Sequence, residues 1–375
     1  MPATESPVVA SAAPAQRKFP CKQCGARLDF APGVNSLNCP YCGYTERIYD
    51  DISGVRERDL ESFLAAPTAG RTIAGHSLEV ECGGCGAVVI LEDNVAADRC
   101  PFCATHLENK PRAAGEMVSP ESILPFNIDF RKAKEAFEQW INDRWFAPDG
   151  LRKMANLGQL QGVYLPFWTY NSLTITHYTG RRGTERSAGM YGEADELIPG
   201  GDLLGRVNGR TYIEWEDVSG EVHHFFDDML VGASRSLPYD KVAQLQPWDL
   251  ENIVAFKPEY LSGFKTERYA IELDQGFAMS KMLIDPLVKQ MCLYDIGGDY
   301  QILERYQTRH EKPTFKHVLL PAWIASYRYY GKVFHILVNA RTGEVVGDRP
   351  WSVLKTIAAA GFMLALAAAI LFLSQ

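Results

Sequence analysis

A pattern of four cysteines occurs twice in this chain, and no other feature limits its fold as strongly. Two residues separate Cys21 from Cys24 and Cys39 from Cys42, and fourteen residues lie between the two pairs. A C-x-x-C turn directs two thiolates at one ion, and a second turn completes a tetrahedral site. The sequence therefore predicts two small metal-binding modules. The second group has the same spacing and consists of Cys82, Cys85, Cys100 and Cys103.

The identity of the metal follows from the donor set. Four thiolates form a closed site, which is structural rather than catalytic in zinc proteins. Iron in a rubredoxin-like site uses similar turns, although a longer interval between them is expected there. Disulfides need an oxidising compartment, and the N-terminus shows no apolar signal-peptide core behind a basic start. We therefore expect two structural Zn²⁺ ions, with iron and disulfides as the remaining alternatives.

An uncharged apolar segment, Thr356–Leu373, lies near the end of the chain. As a helix it would extend about 27 Å, close to the roughly 30 Å of a bilayer's hydrocarbon core. The basic residues Arg341, Arg349 and Lys355 precede it, and the positive-inside rule then places the body in the cytoplasm. The sequence thus predicts a single-pass protein of the inner (cytoplasmic) membrane that contacts the lipid bilayer through Thr356–Leu373.

Between these features the sequence predicts helices inserted into a β-rich body. Apolar residues at helical spacing follow Asp129, a good N-cap residue, and predict a helix. Aromatic and β-branched residues predict strands from Gly162 onward, with a turn at Ser219–Gly220. A hairpin is predicted around Gly343.

A short internal repeat also occurs in the body. The residues Leu165-Pro166-Phe167-Trp168 return as Leu320-Pro321-Ala322-Trp323, each followed by a strand that contains tyrosine. This repeat suggests two related halves in one mixed sheet.

The predicted fold class is α+β, with two zinc ribbons, a mixed β-rich domain with inserted helices, and one C-terminal transmembrane helix. The boundaries follow the cysteine groups and the changes in composition. They are a disordered tail (1–18), ribbon 1 (19–50), a connector (51–76), ribbon 2 (77–108), a linker (109–120), an α+β domain (121–350) and a membrane anchor (351–375).

Charge and motifs limit the function. The net charge of −8 argues against a nucleic-acid-binding protein, which usually presents a basic surface. The sequence contains no G-x-x-x-x-G-K-[ST] phosphate loop, no H-E-x-x-H and no G-x-S-x-G. We therefore expect neither an ATP-driven motor nor an enzyme, and we assign no catalytic residue.

Several motifs resemble those of one group of bacterial zinc-ribbon proteins with a C-terminal membrane anchor. Its members are often labelled primosomal protein N′ (replication factor Y)-like or TFIIB-type zinc-finger proteins. The resemblance covers residues 19–373 and rests on the paired cysteine groups followed by LPF, YLPFW, W-x-x-V-S-G-x-V-x-x-x-F-D-D, LLPAW and VNARTGEVVGDRPWS-x-x-K. It implies the eight cysteines as ligands and a partner with an SPFH domain or similar to phage-shock protein A.

These observations favour an adaptor. We expect a cytoplasm-facing, tail-anchored zinc-ribbon scaffold that brings a protein partner, SPFH-type and linked to membrane stress, to the membrane. The alternative is a nucleic-acid-binding or helicase-accessory zinc-ribbon protein, because four-thiolate ribbons also occur in such proteins.

Overall fold

A computed structural model gives the structure of the chain. It describes residues 19–49, 54–66, 71–73, 78–91, 99–107, 112–113, 115–144, 160–187, 211–329, 331–348 and 353–373. The predicted disordered tail, residues 1–18, lies outside the described residues.

Most of the regular structure consists of strands. The helices are α1 (Leu60–Ala65), α2 (Phe130–Asn142), α3 (Tyr239–Gln244), α4 (Leu273–Ile296) and α5 (Val353–Leu373). The strands are β1 (Asp29–Ala31), β2 (Ser36–Asn38), β3 (Thr45–Arg47), β4 (Arg58–Asp59), β5 (Arg71–Ile73), β6 (Leu78–Glu81), β7 (Val88–Leu91), β8 (Arg112–Ala113), β9 (Glu116–Val118), β10 (Ser122–Ile123), β11 (Gln161–Ser187), β12 (Thr211–Gly232), β13 (Val254–Ala255), β14 (Lys265–Glu267), β15 (Tyr300–Tyr329), β16 (Lys332–Asn339) and β17 (Val345–Gly347).

Two long antiparallel strands, β11 and β15, form the centre of the main sheet. They are rich in aromatic and β-branched residues, which fit a pleated and partly buried surface. Strand β12 pairs with β11, and α4 packs on the sheet that the three strands make. We call the part of this sheet made by residues 171–187, 211–228 and 300–314 the arm. At about 3.3 Å per residue, the 22 residues of β12 extend roughly 70 Å.

The two faces of the main sheet carry different modules. Successive residues of a strand point to opposite faces. Val163 and Leu165 of β11 pack in the same apolar cluster as Cys82, whereas Tyr164 packs in the cluster that contains Cys21. The buried apolar residues of β15 from Val318 to Ala325 alternate between the same two clusters. Ribbon 1 and ribbon 2 therefore lie against opposite faces of the β11–β15 pair.

The internal repeat has a structural counterpart. Leu165 in the first copy lies opposite Leu320 in the second, in antiparallel register. Trp168 and Trp323 each donate the indole N–H to a backbone carbonyl just before a helix, at 2.9 Å before α4 and 2.8 Å before α2. The tryptophan of each copy therefore hydrogen-bonds the backbone just before a helix that belongs to the other half of the domain.

Two local predictions are confirmed. The carboxylate of Asp129 accepts the backbone N–H of Lys132 at 2.8 Å and caps α2. The hairpin of β16 and β17 turns at Gly343, whose φ is 82° and whose N–H donates to the carbonyl of Asn339 at 2.8 Å. Such a positive φ is the conformation that glycine adopts without a steric penalty.

The predicted turn at Ser219–Gly220 is wrong, because β12 runs straight through it. Gly220 lies opposite Tyr178 in the register of β11 and β12. A Cβ at Gly220 would lie 2.6 Å from the hydroxyl oxygen of Tyr178. The glycine therefore makes room for the tyrosine ring, which packs between the strands and α4.

The prediction of the fold class was also wrong. The chain is mostly β-sheet, and its predicted transmembrane helix, Thr356–Leu373 within the anchor 351–375, is not supported. A span needs about 20 consecutive apolar residues in one helix. Within the described segments, no helix meets the requirements of length and apolar character for crossing a bilayer. The predicted contact with the bilayer and the predicted location in the inner membrane are corrected on the same ground.

Candidate metal centres

Four turns with the same backbone geometry build the two sites. In ribbon 1, the N–H of Gly25 donates to the carbonyl of Cys21 at 2.8 Å, and the N–H of Cys21 donates to the carbonyl of Ala26 at 2.6 Å. The turns that begin at Cys39, Cys82 and Cys100 repeat both hydrogen bonds at 2.8–3.1 Å. The chain thus closes each C-x-x-C segment into a tight turn that directs both side chains to one side.

The residue after each turn needs a left-handed backbone. Gly25, Gly43 and Gly86 have φ angles of 69°, 74° and 75° at this position. Ala104 occupies it in the fourth turn, with a φ of 58°. Glycine adopts this conformation freely, whereas an alanine there is strained. The second turn of ribbon 2 is therefore formed at a cost in free energy that the other three turns avoid.

The sulfur positions fit a tetrahedral metal ion. Within each group of four, the Sγ atoms all lie within 4.8 Å of one another, so each group could hold a metal ion. Two of the sulfur pairs are 3.5 and 3.6 Å apart in ribbon 1, and two are 3.4 and 3.7 Å apart in ribbon 2. A tetrahedral Zn²⁺ with bonds of 2.3 Å requires edges of about 3.8 Å. A disulfide would need about 2.0 Å, so the geometry favours a metal.

The thiols within each group influence one another, so the pKa of one member falls while that of a neighbour rises. Cys39 and Cys42 of ribbon 1 behave in this way, and desolvation and the other cysteines raise the pKa of Cys42 to about 12. Hydrogen bonds from the backbone, above all from Cys42, lower the pKa of the Cys39 thiol to about 6. In ribbon 2, a hydrogen bond with Cys100 lowers the pKa of Cys85 to about 5, and the same contact raises the pKa of Cys100. Thiolates are the form that binds metals, and a cation between them removes their mutual repulsion.

Ribbon 1 is a small sheet, β1–β2–β3, that packs on the body through side chains and a few backbone contacts. The Ser262 hydroxyl donates to the carbonyl of Leu28 at 2.6 Å, and the carbonyl of Ser262 accepts the N–H of Phe30 at 3.0 Å. Two of its ligands, Cys24 and Cys42, are exposed. The metal of ribbon 1 would therefore lie at the protein surface.

Ribbon 2 is held more firmly. Its strand β7 pairs with β14 and so joins the main sheet. From β15, Ser326 donates to the carbonyl of Pro101 at 2.6 Å, and from β16 the Nε2–H of His335 donates to the carbonyl of Phe102 at 2.9 Å. Only Cys85 of its four ligands is exposed.

The eight cysteines singled out in the sequence thus come together in two groups of four. The remaining one, Cys292, is buried in α4 and belongs to neither group. Sequence reasoning missed Ser262, Ser326 and His335, which hold the ribbons on the body. A single serine or histidine within a strand has no local pattern that could reveal such a partner.

The chain resembles one protein of unassigned role along most of its length. A protein of Bacillus subtilis (strain 168), described as uncharacterized protein YdjG, is 26% identical over 335 residues, which are 89% of this chain and 90% of that protein. No protein-family model and no solved structure matches the chain. The similarity therefore extends beyond the cysteine groups to the body that carries them.

Proposed function

We propose that this protein is a zinc-stabilised adaptor that binds a protein partner and catalyses no reaction. Zn²⁺ would fill both four-thiolate sites, bound by Cys21, Cys24, Cys39 and Cys42 in ribbon 1 and by Cys82, Cys85, Cys100 and Cys103 in ribbon 2. The metal would supply folding free energy and no open coordination position.

The observation that carries this proposal is the surface of the arm. Tyr212, Ile213, Trp215 and Phe225 all belong to β12 and are all exposed, Phe225 by 57%. Ile213 and Trp215 lie two residues apart and point to the same face of the strand, so they form one exposed apolar pair, whereas Tyr212 points to the other face and Phe225 lies ten residues further along. Adjacent exposed apolar side chains of this kind are typical of sites where proteins bind one another.

The charge of the same strand supports a protein partner over a nucleic acid. β12 contains six acidic residues and no lysine or arginine. Phosphate backbones are bound by basic surfaces, so this strand would repel them. The resemblance found in the sequence adds a class of partner, a protein with an SPFH domain or similar to phage-shock protein A.

Photocrosslinking in the host cells tests this proposal. A photoreactive phenylalanine analogue replaces Tyr41 of ribbon 1, which is 82% exposed, or Phe225 of the arm in the full-length protein. We expect the same protein to be crosslinked in repeated experiments from at least one position, only after irradiation. Metal analysis of the purified protein should give two Zn²⁺ per chain.

Two results would contradict the adaptor. One is the absence of a specific protein adduct at both positions in cells that express the protein at its natural level. The other is a nucleic-acid adduct in place of a protein. Iron in the sites would absorb visible light, whereas Zn²⁺, with a filled d shell, would not.

A further inference from the structure

The outer edge of β12 is open. Among the described residues, β12 pairs with β11 and with no other strand. An edge strand presents alternate N–H and C=O groups that can pair with another chain. β12 continues as an extended strand through Ser219 and Gly220, so this edge can receive an extended segment.

A groove lies between this edge and α4. It has a volume of about 590 Å³ and is bordered by residues 221–224 on the strand side. Leu287, Met291 and Tyr294 border it on the helix side. Leu287 is 42% exposed and Tyr294 is 89% exposed. Their spacing of four and three residues places them on one stripe of the helix.

The groove is acidic. Glu221 and Asp295 border it, and among the residues that the structure describes no lysine or arginine does. Glu221 pairs with His223 on its own strand and with His177 of β11, the latter at 2.8 Å. Of the two lysines of α4, Lys281 lies over the ring of Phe277 at 4.9 Å, and Lys289 lies on the other side of the helix, where it pairs with Asp285 at 2.8 Å.

Val222 and Phe226 pack with α4, so alternation along the strand turns the Glu221 side chain to the opposite face. Asp295, on the α4 side, accepts the Tyr178 hydroxyl at 2.6 Å. A carboxylate therefore lies on each side of the β12 edge and favours a positively charged ligand.

We propose that this groove binds an extended, basic segment of a partner protein, which adds to β12 as a further strand of the arm. This inference rests on the proposed adaptor function and names its docking site. Strand addition uses backbone hydrogen bonds for affinity and pockets for alternate side chains for specificity. Alternation would place the apolar residues of the segment against Leu287, Met291 and Tyr294, and its basic residues on the opposite face, near Glu221.

The charge decides between this occupant and a second copy of the chain. Pairing of two β12 strands would bring acidic residues of one copy next to those of the other. Like charges opposite each other destabilise a sheet. Within the sheet, Glu214, Glu216 and Asp228 pair with basic residues of β11 and β15. The repulsion would therefore come from the other acidic residues of β12, which are Asp217, Glu221 and Asp227.

A labelled peptide tests the groove. The probe is a fluorescein-labelled octapeptide of alternating lysine and valine, titrated with the full-length, zinc-loaded protein and followed by fluorescence anisotropy. We expect saturable binding and slower amide hydrogen exchange in residues 218–226. Leu287→Lys should weaken binding by about tenfold, as the loss of an interface anchor does.

The matched control is Met282→Lys. Met282 lies on the same helix and is 75% exposed, but it does not border the groove. We expect this variant to bind as the wild type does, because residue 282 does not contact the peptide. Both variants add the same charge to α4, so the comparison separates the loss of the groove contact from the change in net charge. A peptide of the same charge with proline at the valine positions should not bind, because proline lacks the N–H that strand pairing needs.

Three results would overturn the inference. They are equal weakening by the two variants, equal binding of the proline peptide, and binding without protection of β12. A wild-type dimer that Leu287→Lys dissociates would assign the edge to a second copy instead. If crosslinks in cells arise at Tyr41 while the peptide fails to bind, the adaptor function stands and this docking site is wrong.

Discussion

Ribbon 1 forms a three-stranded sheet of its own, whereas ribbon 2 gives β6 and β7 to the main sheet through β14. Both ribbons use the same C-x-x-C turns, and both pack on the β11–β15 pair, from opposite faces. They differ in how they are attached. Ribbon 1 is held by side-chain packing and a few hydrogen bonds, while ribbon 2 is held also by strand pairing.

Because the ribbons are attached differently, loss of the metal from two similar sites should affect the body to different extents. Loss of a metal unfolds the module that it closes, because small zinc modules lack a sufficient core of their own. In ribbon 1, the unfolding can stop at the contact with the body. In ribbon 2, it would remove the strands that pair with β14 and would expose the buried face of the main sheet.

The largest expected effect comes from removing one buried ligand from each ribbon. Cys39→Ser and Cys100→Ser should each leave one zinc per chain. The lost metal is worth on the order of 10 kcal/mol to its module. We expect Cys100→Ser to lower the melting temperature of the body far more than Cys39→Ser, measured by near-ultraviolet circular dichroism of the buried tryptophans.

Cys292→Ser is the control for this pair. Cys292 is as buried as the two ligands, but it lies in α4 outside both groups. The variant should keep both metals. Equal destabilisation of the body by Cys39→Ser and Cys100→Ser would show that strand pairing does not couple ribbon 2 to the body more tightly.

Much of the metal chemistry could be predicted from sequence, because its signal is local. A C-x-x-C turn involves consecutive residues, and so do the N-cap at Asp129 and the turn at Gly343. The short repeat around Leu165 and Leu320 also suggests two related halves in one mixed sheet, but their direct pairing is seen only in the structure. For the metal-binding turns, the N-cap and the hairpin turn, residues close in sequence define the structure that they form.

The predictions that were wrong or missing concern contacts between residues distant in sequence. Gly220 looks like a turn residue, but its role is set by Tyr178, which lies 42 positions earlier (220 − 178) and opposite it in the sheet. The attachment of ribbon 2 through β14 depends on a strand more than 150 positions later in the chain. Composition alone also suggested a membrane span that the structure does not support.

Lowering the pH should destabilise the body, which carries both ribbons, and we expect this effect to be of intermediate size. His317 of β15 is fully buried between Trp168 and Tyr269, and burial lowers its pKa to about 4. The unfolded state therefore binds a proton first as the pH falls. The contribution of His317 to the free energy of unfolding is therefore complete above pH 6.5. It falls by about 3 kcal/mol as the pH drops from 6.5 to 4. His317→Gln should make the acid loss shallower in denaturant titrations.

Glu121 provides a control of opposite sign. Its carboxylate accepts the backbone N–H of His317 at 2.6 Å, and burial raises its pKa to about 7. The folded state then binds the proton first, so this group adds stability as the pH falls from 7 to 4.5. Glu121→Gln should make the acid loss steeper. Identical pH profiles for the wild type and His317→Gln would show that ribbon metal loss alone governs acid unfolding.

The smallest expected effect lies within ribbon 2 and concerns the turn that differs from the other three. Ala104 has a φ of 58°, and this conformation costs an alanine about 1–2 kcal/mol. A glycine removes that strain but loses more conformational entropy on folding, which costs about 0.5–1 kcal/mol. Ala104→Gly should therefore stabilise the site by about 0.5–1 kcal/mol. Competition with a chelator, in a Cys39→Ser background that leaves only site 2, measures this as tighter zinc binding.

The reverse substitution in the same ribbon tests whether the backbone is the cause. Gly86 has a φ of 75°, and a Cβ there would meet no atom within 4 Å. Gly86→Ala should thus weaken zinc binding by about the amount that Ala104→Gly gains, through backbone strain and not through a clash. If Ala104→Gly weakens the site instead, the methyl group of Ala104 contributes packing that outweighs its strain. The weaker turn would then not distinguish ribbon 2 from ribbon 1, and strand pairing alone would account for their difference.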